Sequence, residues 1–264
     1  GAGTALTFED LSSTGIVRIA SGGVGALVIG SDPASSAAGN GKITVTNVSR
    51  KQLILHGQNA TGNTINGMID QGNSTLDLSV NPDVADNDQY GAGRWILKNV
   101  NNNFKGNLSV SVGSLEFAGD LGSGNGTTSP MGDLTASRVI NLGANDFNGR
   151  RYDIFGGGDN LGAAGGTSAT GTLIFNDPNA GTLTLGSNLT FTQAFSSTTN
   201  PGNGEIINNG TKVVVINGAL TSGASGNRNW ILDGTNTGDN KITGSISNGS
   251  GNSVGITKEG AGKW

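Results

Sequence analysis

The chain has no cysteine and a single histidine, His56, among 264 residues. Without thiols there is no disulfide, no thiolate metal centre and no cysteine nucleophile. One imidazole leaves Ser-His-Asp catalysis resting wholly on His56, and a multi-histidine metal site lacks its ligands. Charged residues make up only 13% of the chain and the net charge is -4, against the basic patch that a nucleic-acid partner requires. No apolar run approaches the ~18 residues of a membrane-crossing helix. The longest runs, Ala26 to Ile29 and Val213 to Ile216, have strand length. Residues 1 to 20 show neither the basic start nor the apolar centre of a secretory signal.

What the chain does have is glycine, 47 residues or about 18%, against the usual ~7%. Leu, Ile, Val and Phe sum to 61 of 264, about 23%, above the ~20% below which a highly charged chain stays disordered. A folded protein is expected, with a narrow core assembled from many short strands.

Residues 91 to 117, GAGRWILKNVNNNFKGNLSVSVGSLEF, show the pattern most fully. Trp95 and Leu97 alternate as strand residues do, the Asn-rich stretch 99 to 103 interrupts, and Leu108, Val110 and Val112 resume before Gly113, Leu115 and Phe117. Capped helical periodicity is absent, and the loops at 31–41, 119–132, 156–171 and 196–204 are built of small residues. The whole chain reads as one continuous all-β unit.

Residues 53–95 align with 230–264 at an offset of 177: Leu53 with Trp230, Leu55 with Leu232, Gly57 with Gly234, Asn63 with Asn240, Ile65 with Ile242 and Ile69 with Ile246. Leu76 and Leu78 answer to Val254 and Ile256, and GAGRW at 91–95 to GAGKW at 260–264 once the insert near 81–88 is removed. L-x-F pairs recur at Leu6/Phe8, Leu115/Phe117, Leu173/Phe175 and Leu189/Phe191. Such repetition marks a solenoid cut from a longer repetitive protein. Strands this short bury little alone, and stacking equivalents ~4.8 Å apart pairs every interior coil on both sides. Coils of roughly 20 to 30 residues predict about ten of them, on the order of 45 to 50 Å tall.

Gly91, Gly93, Trp95, Leu97, Asn102, Phe104, Gly106, Leu108, Val110, Gly113 and Leu115 carry the order G-x-G-x-L-x-L, N-x-[YF]-x-G, V-x-x-G-x-L. That order resembles the autotransporter-associated β-strand repeat of bacterial surface proteins, with Trp95 in place of the first aliphatic residue. The resemblance implies a right-handed parallel β-helix in an exported passenger region, extracellular or on the bacterial surface, usually an adhesin or stalk. It implies no activity.

Candidate sites are few. Asp83, Asp86 and Asp88 offer oxygen ligands for calcium without EF-hand spacing, and a solvated loop is the plainer expectation. GGGDNLGAAGG at 156–166 lacks the calcium nonapeptide register, and SAAGNGK at 36–42 fails two fixed positions of a phosphate loop. His56, aligned with Asp233, reads as a surface residue. Arg150, Arg151, Tyr152 and Asp153 fit a loop ion pair or a sugar contact, and Trp95, Trp230 and Trp264 a structural ladder or a sugar platform. The acids of a polysaccharide lyase or hydrolase do not cluster in the sequence. The expectation is therefore a non-enzymatic extracellular module without cofactor or resident metal. Its partners would be neighbouring repeats or identical copies stacked end to end, with surface glycans as the alternative partner of an adhesin.

Overall fold

The structure is a computed structural model and describes residues 6–8, 16–21, 25–45, 50–57, 59–80, 93–111, 113–143, 170–193, 203–222, 227–248 and 253–264. Among these residues the only helical element is a single 3-10 turn, Ala38–Asn40. Everything regular is strand.

Two eight-stranded parallel sheets run the length of the stack. The first contains Ile16–Ser21, Lys51–Gly57, Leu76–Val80, Leu108–Val110, Arg138–Leu142, Leu189–Gln193, Leu220–Ser222 and Ile246–Ser247, in that order. The second contains Val28–Ile29, Asn63–Ile65, Arg94–Leu97, Gly113–Ala118, Thr170–Asn176, Asn203–Asn208, Arg228–Gly234 and Val254–Lys258. A third face holds two three-stranded pieces, Leu6–Phe8 with Ile43–Val45 and Ile69–Asp70, and Thr182–Leu185 with Val213–Ile216 and Lys241–Ile242. The chain visits the third face, the first sheet and the second sheet in rotation, so each circuit is one coil of a parallel β-helix.

There are eight coils, not the expected ten or so. Register partners are as few as 20 residues apart, Trp95 to Leu115, and as many as 58, Leu115 to Leu173. Long excursions consume chain without adding a coil. Eight coils at ~4.8 Å rise to about 35 to 40 Å.

The interior is a set of columns, because equal strand positions in successive coils stack. In the first sheet one column runs Leu53, Leu78, Leu108, Ile140, Phe191, Leu220 and Ile246. In the second, Leu115 lies on Leu173 and Phe117 on Phe175, the two rings 6.4 Å apart and tilted by 38°. That stacked L-x-F pair is the ladder the sequence predicts, while Leu189/Phe191 stands in the first sheet and Leu6/Phe8 on the third face. Burying one such Leu or Phe contributes ~1.5–3 kcal/mol, and the column repeats that gain in each coil.

The 177-residue repeat reappears in three dimensions with a twist in meaning. Lys51–Gly57 and Arg228–Gly234 are the same seven-residue strand at that offset, yet the first lies in the first sheet and the second in the second sheet. Ile69–Asp70 on the third face corresponds to Ile246–Ser247 in the first sheet, and Leu76–Val80 in the first sheet to Val254–Lys258 in the second. Every matched strand has moved one face around the helix. Local strand-and-turn chemistry is repeated, and the inserts between the copies set which face it lands on.

Candidate functional site

The clearest constructed sites are the junctions between coils. Coils four and five have no strand on the third face, where residues 99–106 and 119–134 run instead. Asn102 takes over the missing ladder: its Oδ1 accepts from Ile69 N–H at 2.7 Å in the coil before, and its Nδ2 donates to Pro130 O at 3.1 Å in the coil after. Phe104 fills the core beside it, fully buried, with the Arg138 guanidinium 5.7 Å from its ring centre. Gly106 follows because a Cβ there would stand 2.3 Å from Leu76 O. The N-x-F-x-G stretch is thus a splice between coils, and each residue type has a geometric reason.

Other asparagines work alike. Asn63 Oδ1 accepts from Leu27 N–H at 3.0 Å, and Asn240 Oδ1 accepts from Val214 N–H at 2.8 Å while its Nδ2 donates to Lys263 O at 2.7 Å. A carboxamide presents one acceptor and two donors, so it satisfies backbone groups on both sides of a corner where strand pairing lapses.

Charged side chains are buried at these junctions too, which the low overall charge did not announce. Lys212 Nζ contacts Asp177 Oδ2 at 2.9 Å and Asp120 Oδ1 at 3.1 Å, and donates to Gly122 O at 2.8 Å. Arg50 lays its Nε and Nη2 edge on buried Asp77, and Arg94 does the same to buried Glu116. Burial raises the Asp77 carboxyl above its ordinary value, and the Arg50 pair only partly offsets it. The carboxylates deepest in the molecule are therefore engaged in joining coils.

One cluster of acids is left on the surface. Glu205, Asp233 and Glu259 project from coils six, seven and eight of the second sheet, with carboxylate oxygens within 4.8 Å of one another. Burial raises the Glu205 carboxyl, a bond from Thr172 Oγ1 at 2.6 Å opposes that, and the charges of Asp233 and Glu259 add to the rise. Such a set has the donor chemistry of a hard divalent cation site. The sequence shows no cluster, since these acids stand 28 and 26 residues apart. Their signal is that spacing, close to the 26-residue register of Trp230 and Ile256.

A groove of about 420 Å³ opens between coils five and six, lined by Ser123, Asn125, Thr135, Thr184 and Asn188 over the buried floor of Leu134. Its lining is neutral and hydroxyl- or amide-bearing throughout.

The residues singled out from the sequence fare differently. Asp83, Asp86 and Asp88 lie outside the described residues, as do residues 150–153 and 156–166. Residues 36–42 form a corner: the turn ends at Gly41, and Lys42 pairs with Asp70 at 2.8 Å. His56 is not on the surface but 2% exposed. It lies in the first sheet, whose strand there is buried on both sides, whereas its counterpart Asp233 sits one face further round and is half-buried. Trp95 and Trp230 are fully buried in the second sheet, which removes them from any sugar platform; Trp264, half-buried, donates its indole N–H to Asp233 O at 2.8 Å.

At the last coil the columns are open. Ile246 is 41% and Ile256 50% exposed, although their register partners Leu220 and Trp230 are fully buried. Comparison of the chain with protein-family models, curated proteins and solved structures returns no match.

Proposed function

We propose that the chain is a non-enzymatic structural module of a bacterial cell surface, a rigid β-solenoid serving as stalk, spacer or filament element, of the passenger type that residues 91–115 resemble. The carrying observation is the continuous pair of eight-stranded sheets whose corners are bonded from coil to coil by Asn102, Asn240 and Lys212. Chemistry-bearing side chains such as Asp77, Glu116 and Asp177 act there as braces. The open column at Ile246 and Ile256 supports end-to-end contact with a further coil of the same kind, since an uncovered strand edge pairs readily. Electron microscopy of the purified chain over a concentration series tests this: short rods that lengthen in steps support it, and isolated globules at every concentration overturn the filament form.

The groove over Leu134 favours a second reading, a glycan-binding adhesin, because its neutral donors and acceptors complement sugar hydroxyls and its volume lies in the usual ligand range of ~300–1,000 Å³. An array of neutral and acidic glycans with no reproducible hit removes it.

A further inference from the structure

Three arginines have their guanidinium edges laid out for comparison. Arg50 and Arg94 each place Nε–H and Nη2–H, the two parallel donors of the side-on edge, on a carboxylate. Arg228 is more deeply buried than either, 2% exposed, and its Nε and Nη2 have no partner. Only its Nη1 is engaged, at a long 3.4 Å to Gln193 O. No acid compensates it, and burial alone pulls the guanidinium below its ordinary value. A buried cation without counter-charge is costly, and that edge is the one matched to a two-oxygen anion.

The surroundings share the deficit. Gln193 is fully buried; its Nε2 is fixed by donation to Asn229 O at 2.5 Å, which leaves Oε1 on the other side without a donor. Ser222, the register partner of Gln193 in the next coil, is buried with its Oγ unpartnered. Both interrupt an otherwise aliphatic column, level with Leu142, Val110 and Val80. Asn227 and Asn229, on either side of Arg228, are exposed, so the corner lies one residue from solvent.

We propose that Arg228, Ser222 and Gln193 form a binding site for a small oxyanion that retains one hydroxyl, of the hydrogencarbonate or hydrogenphosphate type. Two oxygens of the ion accept from Arg228 Nε–H and Nη2–H, Ser222 adds a third donor, and the ion's own O–H donates to Gln193 Oε1. The occupied site ties the first sheet of coils six and seven to the second sheet, where the corner otherwise carries an uncompensated charge. It is independent of the surface role proposed above.

Thermal unfolding decides it, with chloride replaced stepwise by hydrogencarbonate, by phosphate or by nitrate at constant ionic strength and about pH 8. The melting temperature of the native chain should rise saturably, by about 3 °C, with hydrogencarbonate or phosphate. Nitrate, planar but without a hydroxyl, should act more weakly. Arg228→Met should abolish the response while leaving the general salting effect of phosphate, which serves as its baseline. Should R228M fail to fold, Ser222→Ala carries the test, because it keeps the guanidinium: its half-saturating concentration should rise at least about threefold, one lost hydrogen bond. A flat response in the native chain overturns the proposal, as does a response that R228M or S222A retains in full.

Discussion

Lys212 Nζ lies 2.9 Å from Asp177 Oδ2, and the two residues belong to different coils, the lysine preceding the third-face strand Val213–Ile216 and the aspartate following the second-sheet strand Thr170–Asn176. Both are buried, and Asp177 Oδ2 also accepts from Leu121 N–H at 2.8 Å. Removing one partner leaves the other charge inside the protein. Lys212→Ala should therefore cost about 3 kcal/mol or more in urea unfolding. Asp120, largely exposed, should matter far less when changed to Asn.

The same clamp predicts a pH window. Burial acts to lower the Lys212 pKa, but hydrogen bonds from its ammonium to Asp177 and Asp120 overcome that and hold it above the ordinary 10.5. A group raised on folding contributes stability below its unfolded value and loses it as pH climbs through the folded one. Asp120 is lowered by the Gly122 backbone bond and by Lys212, so its share is present above 3.8 and fades as pH falls through its folded value. The destabilisation caused by K212A should be level across neutral pH and shrink above about pH 10.5. A penalty that persists at that alkaline end would refute the assignment.

Glu205→Gln should stabilise. The amide keeps an acceptor for Thr172 Oγ1 and removes repulsion from Asp233 and Glu259. At neutral pH the gain should be about 0.5 kcal/mol, reduced by solvent screening. Because the native carboxyl is raised above 4.5, the folded protein binds a proton first as pH falls, and wild type should close the gap on E205Q between the raised value and 4.5. Parallel melting curves over that range would contradict it.

Asn102→Ala deletes a bond in each direction along the stack and leaves Ile69 N–H and Pro130 O without that partner. The expected loss is about 2–3 kcal/mol. Gly106→Ala drives a Cβ onto Leu76 O and should cost about 1–3 kcal/mol or more. Urea titrations of both should show unchanged slopes, as the loss of stability concerns one junction.

Ile256→Lys places a charge on the open column of the last coil, half exposed already. It should leave the melting temperature nearly unchanged and suppress any concentration-dependent association seen by sedimentation velocity. Undiminished association would move the contact surface elsewhere.

Much of the architecture is legible in local residue order. W-I-L at 95–97 and at 230–232 predicts inward-outward-inward strands, and both are second-sheet strands with Trp and Leu buried. The N-x-F-x-G order carries the splice at Asn102. What the order does not carry is phase. His56 and Asp233 align in sequence and differ in burial because inserts turned one copy by a face. The row Glu205, Asp233, Glu259 likewise emerges only when coil length is known, since no window of sequence contains two of them. Arg228 is the hardest case: an arginine between two asparagines looks like a solvated turn, and only the tight corner buries it.

The displacement of repeated strands by one face bears on how such a chain lengthens. If a strand with its turn is the inherited unit, and the face is decided by whatever precedes it, then a duplicated segment need not contain a whole number of coils to be accepted. Recombination at any corner can add material, and the newcomer joins the stack at the next vacant side. Growth by unequal pieces would leave a molecule whose ancestry is visible at an offset of 177 residues while its surface shows no matching symmetry.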